Sequence, residues 1–119
     1  MYASPMTLKD GSAANVTMVK LSSDAQSSRW INSATTLSAP SSLQISHTMS
    51  TAPDGSDRHL VKLAKTVLDS NLRPRTVVLN CTLSVPRVGV TRADVNDVTA
   101  ELKEFLVTAN VDALLRGEV

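Results

Sequence analysis

Two histidines and one cysteine are the residues of this sequence whose types could hold a metal or move a proton. His47, His59 and Cys81 each fall on the apolar phase of an alternating stretch, so three neighbouring strands would bring them to one face. Zinc asks for three or four converging ligands, and no Cys-x-x-Cys or His-x-x-x-His spacing supplies them. The plainer reading packs both histidines into a core. A hydrolase with His47 or His59 as general base is the remaining chemical use. The chain has no phosphate-cradling Gly-x-x-x-x-Gly-Lys, no His-Glu-x-x-His and no Gly-x-Ser-x-Gly to support it. Asp94, Asp97, Glu101 and Glu104 recur at helical spacing and could pair as carboxylates. A solvated helix face, with acids near its N-terminus favoured by the macrodipole, explains them more simply. The reading is of a protein that is not an enzyme, with no catalytic residue, metal site or cofactor.

The other chemistry lies in cations, hydroxyls and amides on three long runs between Ser41 and Pro86. In the third, Val77, Leu79, Cys81, Leu83 and Val85 alternate with Thr76, Val78, Asn80, Thr82 and Ser84. That two-residue period predicts a strand with one face on a core and one face wet. The first run sets Leu43, Ile45, His47 and Met49 against Ser42, Gln44, Ser46, Thr48 and Ser50. The second sets His59, Val61, Leu63 and Val67 against Arg58, Lys62 and Thr66. Pro53-Asp54-Gly55 predicts the first turn, with Pro53 presetting φ and Gly55 accepting a positive φ. Asp69–Pro74 forms the second. The product is an antiparallel sheet with one greasy side and one side of hydroxyls, amides and cations.

Around this sheet the remaining elements fall in order. Met6–Lys9 and Val16–Leu21 are short strands joined at Asp10-Gly11. Ser22–Ser28 reads as a polar loop, and Arg29–Ala34 as a short strand carrying Trp30. Pro86 ends the third long strand. Thr91 and Asp94 form a capping box, followed by Val95, Val98, Leu102, Phe105, Leu106 and Ala109 at helical spacing. Asn110 interrupts, and a second short helix ends at Gly117. The class is α+β. One domain spans 1–119: an N-terminal β-hairpin over 1–21, an antiparallel sheet over 29–86 and two C-terminal helices over 91–117.

Composition bounds the rest. The chain has 119 residues and three aromatic side chains, Tyr2, Trp30 and Phe105, few for anchoring a core alone. A single Cys81 leaves no internal disulfide and fits a reducing compartment. No apolar segment follows a basic start and no apolar run reaches membrane-spanning length, so a soluble protein without a signal peptide is expected. Net charge is +1, yet residues 58–92 carry a balance of +6, against −1 before them and −4 after. A basic sheet followed by an acidic helical segment implies a two-faced molecule. One helix and a half make a thin lid for the greasy side, and the third long strand leaves an open edge. A two-fold dimer answers both needs: third strands pair edge to edge, and each subunit's helices cross the other's sheet.

These features in this order resemble the coat proteins of the single-stranded RNA bacteriophages, the leviviruses. The most specific pieces are Ser28-Arg29-Trp30-Ile31-Asn32-Ser33 and Val78-Leu79-Asn80-Cys81-Thr82-Leu83-Ser84-Val85-Pro86, with the turn at Pro53-Asp54-Gly55 and the helix pair Thr91–Leu106 and Val111–Arg116. The resemblance covers essentially the whole chain. It implies an interlocked homodimer with a continuous sheet facing the virion interior, assembled into a quasi-equivalent icosahedral shell after synthesis in the bacterial host cytoplasm. The partners it implies are further copies of the chain and single-stranded genomic RNA, a hairpin of which docks on the sheet and represses replicase translation; neither membrane nor small-molecule substrate is expected. Carried over by position, the RNA-binding residues are Ser46, Thr48 and Ser50 on the first long strand, Arg58, Leu60 and Lys62 on the second, and Val78, Asn80 and Thr82 on the third. Arg58 and Lys62 suit phosphates, and Ser46, Thr48 and Asn80 suit splayed bases. Val78 stands where some relatives place a stacking Tyr, and Leu60 where a hydroxyl often helps form a base pocket, which favours general packaging over operator repression. The loop at Asp69–Arg75 looks shorter than the family's. The rival reading is a small non-viral RNA-binding dimer that forms no shell.

Overall fold

The computed structural model describes residues 2, 4–36 and 38–118. Six strands follow one another and pair in chain order as an antiparallel meander: β1 (Met6–Lys9), β2 (Asn15–Ser23), β3 (Ser27–Asn32), β4 (Ser41–Thr48), β5 (Ser56–Leu68) and β6 (Pro74–Pro86). Two helices close the chain, α1 (Arg92–Phe105) and α2 (Thr108–Leu115). The α+β reading, with strands before helices, matches this order.

Register sorts the side chains into two faces. Leu43 lies opposite Leu63, which lies opposite Leu79; Ile45, Val61 and Cys81 form the next row. Met6, Met18 and Trp30 fall on this same apolar face through β1–β3. Met18, Trp30, Leu43 and Ile45 are the buried core, with Met6, Leu8, Val16 and Leu63 packed on it. Residues on one face of a single sheet bury one another only if the sheet curls. The register shift at Leu21, between Lys20 and Ser22, supplies the local twist that curls the β1–β2 hairpin over the core. Trp30 donates its indole N–H to the Ser28 hydroxyl at 2.9 Å, and the Lys20 ammonium sits 5.0 Å from its ring centre. Burial of the one tryptophan therefore leaves no indole N–H unpaired.

The same face stays open on β5 and β6. Val77 is 70% exposed and Leu79 52%, although strand alternation assigns both to the apolar side. Neither helix lies across the sheet of its own chain. Helix α1 meets the sheet near the end of β6, where Val95 and Val98 line a small apolar hollow with Leu83, Val85 and Val90. Val98, Leu102, Phe105 and Leu106 remain exposed along its stripe. The Cα radius of gyration is 16.7 Å, whereas a compact chain of this length would have about 13.5 Å. The helices reach away from the sheet.

Local chemistry explains the boundaries. Asp94 N–H donates to the Thr91 hydroxyl, while the Asp94 carboxylate accepts from the Thr91 backbone N–H at 2.9 Å, closing the expected capping box. The helix break falls at Leu106–Val107 rather than at Asn110, which lies inside α2. The Asn110 side-chain amide donates to the Phe105 carbonyl at 2.8 Å and so pins the elbow. Gly117 follows α2 at φ +74°, a left-handed residue past the C-cap. Ser22–Ser28 is less loop than expected, since β2 runs to Ser23 and β3 begins at Ser27. Gly55 is needed for room rather than for a positive φ: a Cβ there would lie 1.9 Å from the Ser50 hydroxyl.

Candidate nucleic-acid interface

The opposite face of the sheet carries the polar phase in straight cross-strand rows. Thr48, Arg58 and Ser84 form one row across β4, β5 and β6. The next is Ser27, Ser46, Leu60 and Thr82, starting on β3. The third is Arg29, Gln44, Lys62 and Asn80, and the fourth Ile31, Ser42, Ala64 and Val78. Beyond them the hydroxyls of Thr66 and Thr76 meet at 2.9 Å. Eight of the nine residues expected to touch RNA thus share one face: Ser46, Thr48, Arg58, Leu60, Lys62, Val78, Asn80 and Thr82.

Ser50 is the exception. Strand β4 ends at Thr48, and Ser50 belongs to the following turn. Its backbone N–H donates to the Asp57 carboxylate at 2.8 Å and its hydroxyl accepts from the Ala52 N–H at 3.2 Å. Asp57 also holds Arg87 at 3.1 Å, so Ser50 fastens the β4–β5 turn. The Ser50 N–H, helped by Arg87, holds the Asp57 carboxyl below the usual carboxylate range.

The cations of the polar face are available. Among the described residues the ion pairs are Asp69–Arg75, Asp57–Arg87 and Arg116–Glu118; Arg29, Arg58 and Lys62 take part in none of them. Arg29 and Arg58 are exposed and Lys62 is half-buried, an arrangement in which an apolar stem lies on the sheet and the ammonium reaches water.

Arg29 and Gln44 were not among the residues expected to contact RNA, although both belong to this surface. The signal for Gln44 is its place two residues before Ser46 in the same alternation. For Arg29 it is adjacency to Trp30, since the residue beside a core side chain on a strand must point the other way.

His47 and His59 stand opposite each other on the apolar face, with their Nδ1 atoms 2.8 Å apart and their rings crossed at 69°. With one ring carrying Nδ1–H and the other an Nδ1 lone pair, the two histidines are joined by one hydrogen bond. Cys81 faces Val61, one register step away. No group of three or more side chains that could hold a metal ion occurs among the described residues.

A family model described as the coat protein of phage phiCb5 matches residues 3–86, the stretch from the start of the chain through β6. The chain belongs to the phage phiCb5 coat protein family. The coat fold extends through the helices in solved structures. A virus-like particle of bacteriophage AVE019 shares 10% identity over 96% of this chain and 94% of that one, with a TM-score of 0.79. The protein capsid of bacteriophage GA shares 19% identity over 98% of both chains at a TM-score of 0.68. An unassembled virus coat protein dimer, a bacteriophage RNA-binding dimer, shares 22% over 96% of this chain and 93% of that one, also at 0.68. No curated protein matches the chain in sequence. The coat protein is therefore a structural protein of the phage capsid, and its sheet-then-helices order is that of the RNA phage coat fold.

Proposed function

We propose that two copies of this coat protein pair along their β6 edges, that each copy's helices cover the other's open apolar face, and that the dimers assemble into an icosahedral shell with the polar sheet face inward on single-stranded genomic RNA. The observation that carries the reading is the mismatch within one chain: the apolar side of β5 and β6 lies open while the apolar stripe of α1 points away from it. An uncovered face and an uncovered helix of matching character satisfy each other only between copies. The outer β6 edge pairs with no other strand among the described residues, and joining two such edges would give the dimer a continuous sheet.

The RNA reading rests on unpaired Arg58 and Lys62 among hydroxyls and the Asn80 amide on one face. The cations suit phosphates of any sequence, and the hydrogen-bonding groups suit unstacked bases. Ser46, Thr48, Leu60, Val78 and Thr82 complete the contact surface. Val78 and Leu60 offer apolar contact without an aromatic platform, so packaging of genomic RNA is favoured over selection of one repressor hairpin. Synthesis takes place in the bacterial host cytoplasm, and the finished protein resides in the virion.

Electron microscopy of the purified recombinant protein, with nuclease treatment and extraction of protected RNA, tests this. Uniform closed particles containing RNA are expected. A soluble RNA-binding dimer with no particles would favour the non-viral reading, and particles formed without RNA would remove the packaging role.

A further inference from the structure

The His47–His59 pair has no part in the RNA reading, and it lies on the apolar face of the sheet rather than the polar one. Both residues are half-buried and stand directly opposite each other, next to the β4–β5 turn. Their Nδ1 atoms are 2.8 Å apart, so one proton fits between them. An extra proton taken up at an Nε2 leaves that bond intact. A second extra proton does not: both Nδ1 atoms then carry N–H, and two cations face each other. The charged and titratable neighbours are already engaged. On β5, Asp57 attracts His59, yet its carboxylate holds the Ser50 N–H and Arg87. In the hollow beside His47, which Tyr2 also lines, Asp24 accepts from the Gln26 and Ser27 N–H groups and the Ser27 hydroxyl, while Lys20 adds positive charge. On β6, His59 meets Leu83, with Cys81 and Val85 two residues to either side. Asp94 of α1 lines the hollow beside Leu83 but is tied to the Thr91 cap.

We propose that the paired histidines are an acid-release latch for the dimer: while the rings share one proton a second copy's helices close over the face, and a second extra proton splits the rings and loosens the two copies. The proposal rests on the dimer reading above. Its direction follows from counting protons. The closed pair holds one extra proton at most, whereas two separated rings in water hold two, so acid favours the separated chains. Imidazoles in water take up their proton near pH 6.5 and carboxylates near pH 4. The latch therefore acts well above the range in which the loop carboxylates do. Splitting also leaves two imidazolium charges beneath the apolar stripe of Val98, Leu102, Phe105 and Leu106, where an unpaired charge is costly. The difference of one proton per chain sets the size of the effect. The equilibrium constant for separating and unfolding the copies rises by up to about tenfold per chain, about a hundredfold per dimer, for each pH unit below about pH 6.

The test is urea denaturation of the disassembled dimer between pH 7.5 and 5 at fixed ionic strength and protein concentration, with sedimentation velocity at pH 7.5 to establish the dimer. The chains compared are wild type, His47→Gln, and His47→Leu with His59→Leu together. Wild type is expected to lose stability steeply below about pH 6.5. Both variants are expected to hold a level midpoint across the range, because Gln accepts a hydrogen bond from a protonated His59 and the leucine pair takes up no proton. A variant that does not fold leaves the decision to the other. In wild type the ring-proton NMR signals of both histidines should also titrate together with the loss of the dimer; rings that gain both protons while the dimer persists would overturn the latch whatever the variants do. A wild-type midpoint that is level to pH 5, or the same acid loss in the variants, would overturn it too and leave the dimer standing. The first of these results is expected if Asp97, Glu101 and Glu104 of the covering helix neutralise the imidazolium charges. No wild-type dimer at pH 7.5 would remove the dimer reading, and the latch with it.

Discussion

Replacing Arg58 and Lys62 together by Ala should flatten the salt dependence of RNA binding by an amount the strand geometry sets. The two residues lie four apart on β5 and share one face. At a rise of about 3.4 Å per residue their Cα atoms stand roughly 13–14 Å apart. That is too far for both to serve one phosphate by design, so each should neutralise its own. Each neutralised phosphate of a single strand contributes about 0.7 to the slope of log affinity against log salt, and the double variant should lose about 1.4. Between 50 and 200 mM salt the wild-type affinity should therefore fall about sevenfold more than the variant's. Neither side chain belongs to the buried core, and substitutions of this kind usually change stability within about 0.5 kcal/mol. Filter binding across the salt series, with a melting curve at each salt, measures both quantities. An unchanged slope in a variant that melts like wild type would refute the placement of RNA on this face.

Three further outcomes rest on the helix stripe, the α1 cap and the loop carboxylates. Leu102 is 41% exposed in the single chain, so Leu102→Ala should be nearly silent in an isolated subunit. If a second copy covers it, the truncation should cost about 2–5 kcal/mol, read as a lowered denaturation midpoint and a lower particle yield; wild-type values for both would show the stripe is not buried. Thr91→Ala removes the helix cap and should cost about 1 kcal/mol, visible as a small drop in melting temperature, whereas Thr91→Ser should leave it near wild type. Asp10, Asp24, Asp57, Asp69 and Asp94 all have their carboxyls held below the usual range, chiefly by hydrogen bonds from loop and cap N–H and hydroxyl groups. A folded-state value below the unfolded one means that their contribution is whole above about pH 4 and is lost as pH falls through the folded values. Unfolding midpoints between pH 3 and 7 should show this, and Asp57→Asn should lose part of the acid sensitivity; an identical acid profile in that variant would contradict the assignment.

Much of the sheet was legible because alternation in the long runs is strict. A two-residue period fixes which side chains share a face, and eight of the nine residues that the coat-protein resemblance implied lie together on the polar one. Three features were not legible, each for a physical reason. The core sits under the β1–β2 hairpin because a single register shift at Leu21 curls the sheet, and a bulge leaves no compositional mark. Ser50 continues the polar phase of β4 in sequence, but competition from the Asp57 carboxylate and the Ala52 N–H draws it into the turn. Arg29 and Gln44 join Lys62 in one row only through the pairing register of β3 with β4 and β4 with β5, which no single strand encodes. The helix pair shows the converse. Its cap and stripe could be read from Thr91, Asp94 and the apolar spacing, while among the described residues the stripe lies across no part of its own sheet.

The central claim is that the open apolar face of β5 and β6 and the exposed stripe of α1 complete each other between two copies. Sedimentation velocity of the disassembled protein at low micromolar concentration tests it most directly. The account predicts a dimer of twice the chain mass, with no folded monomer as concentration falls. A stable folded monomer over that range would contradict it.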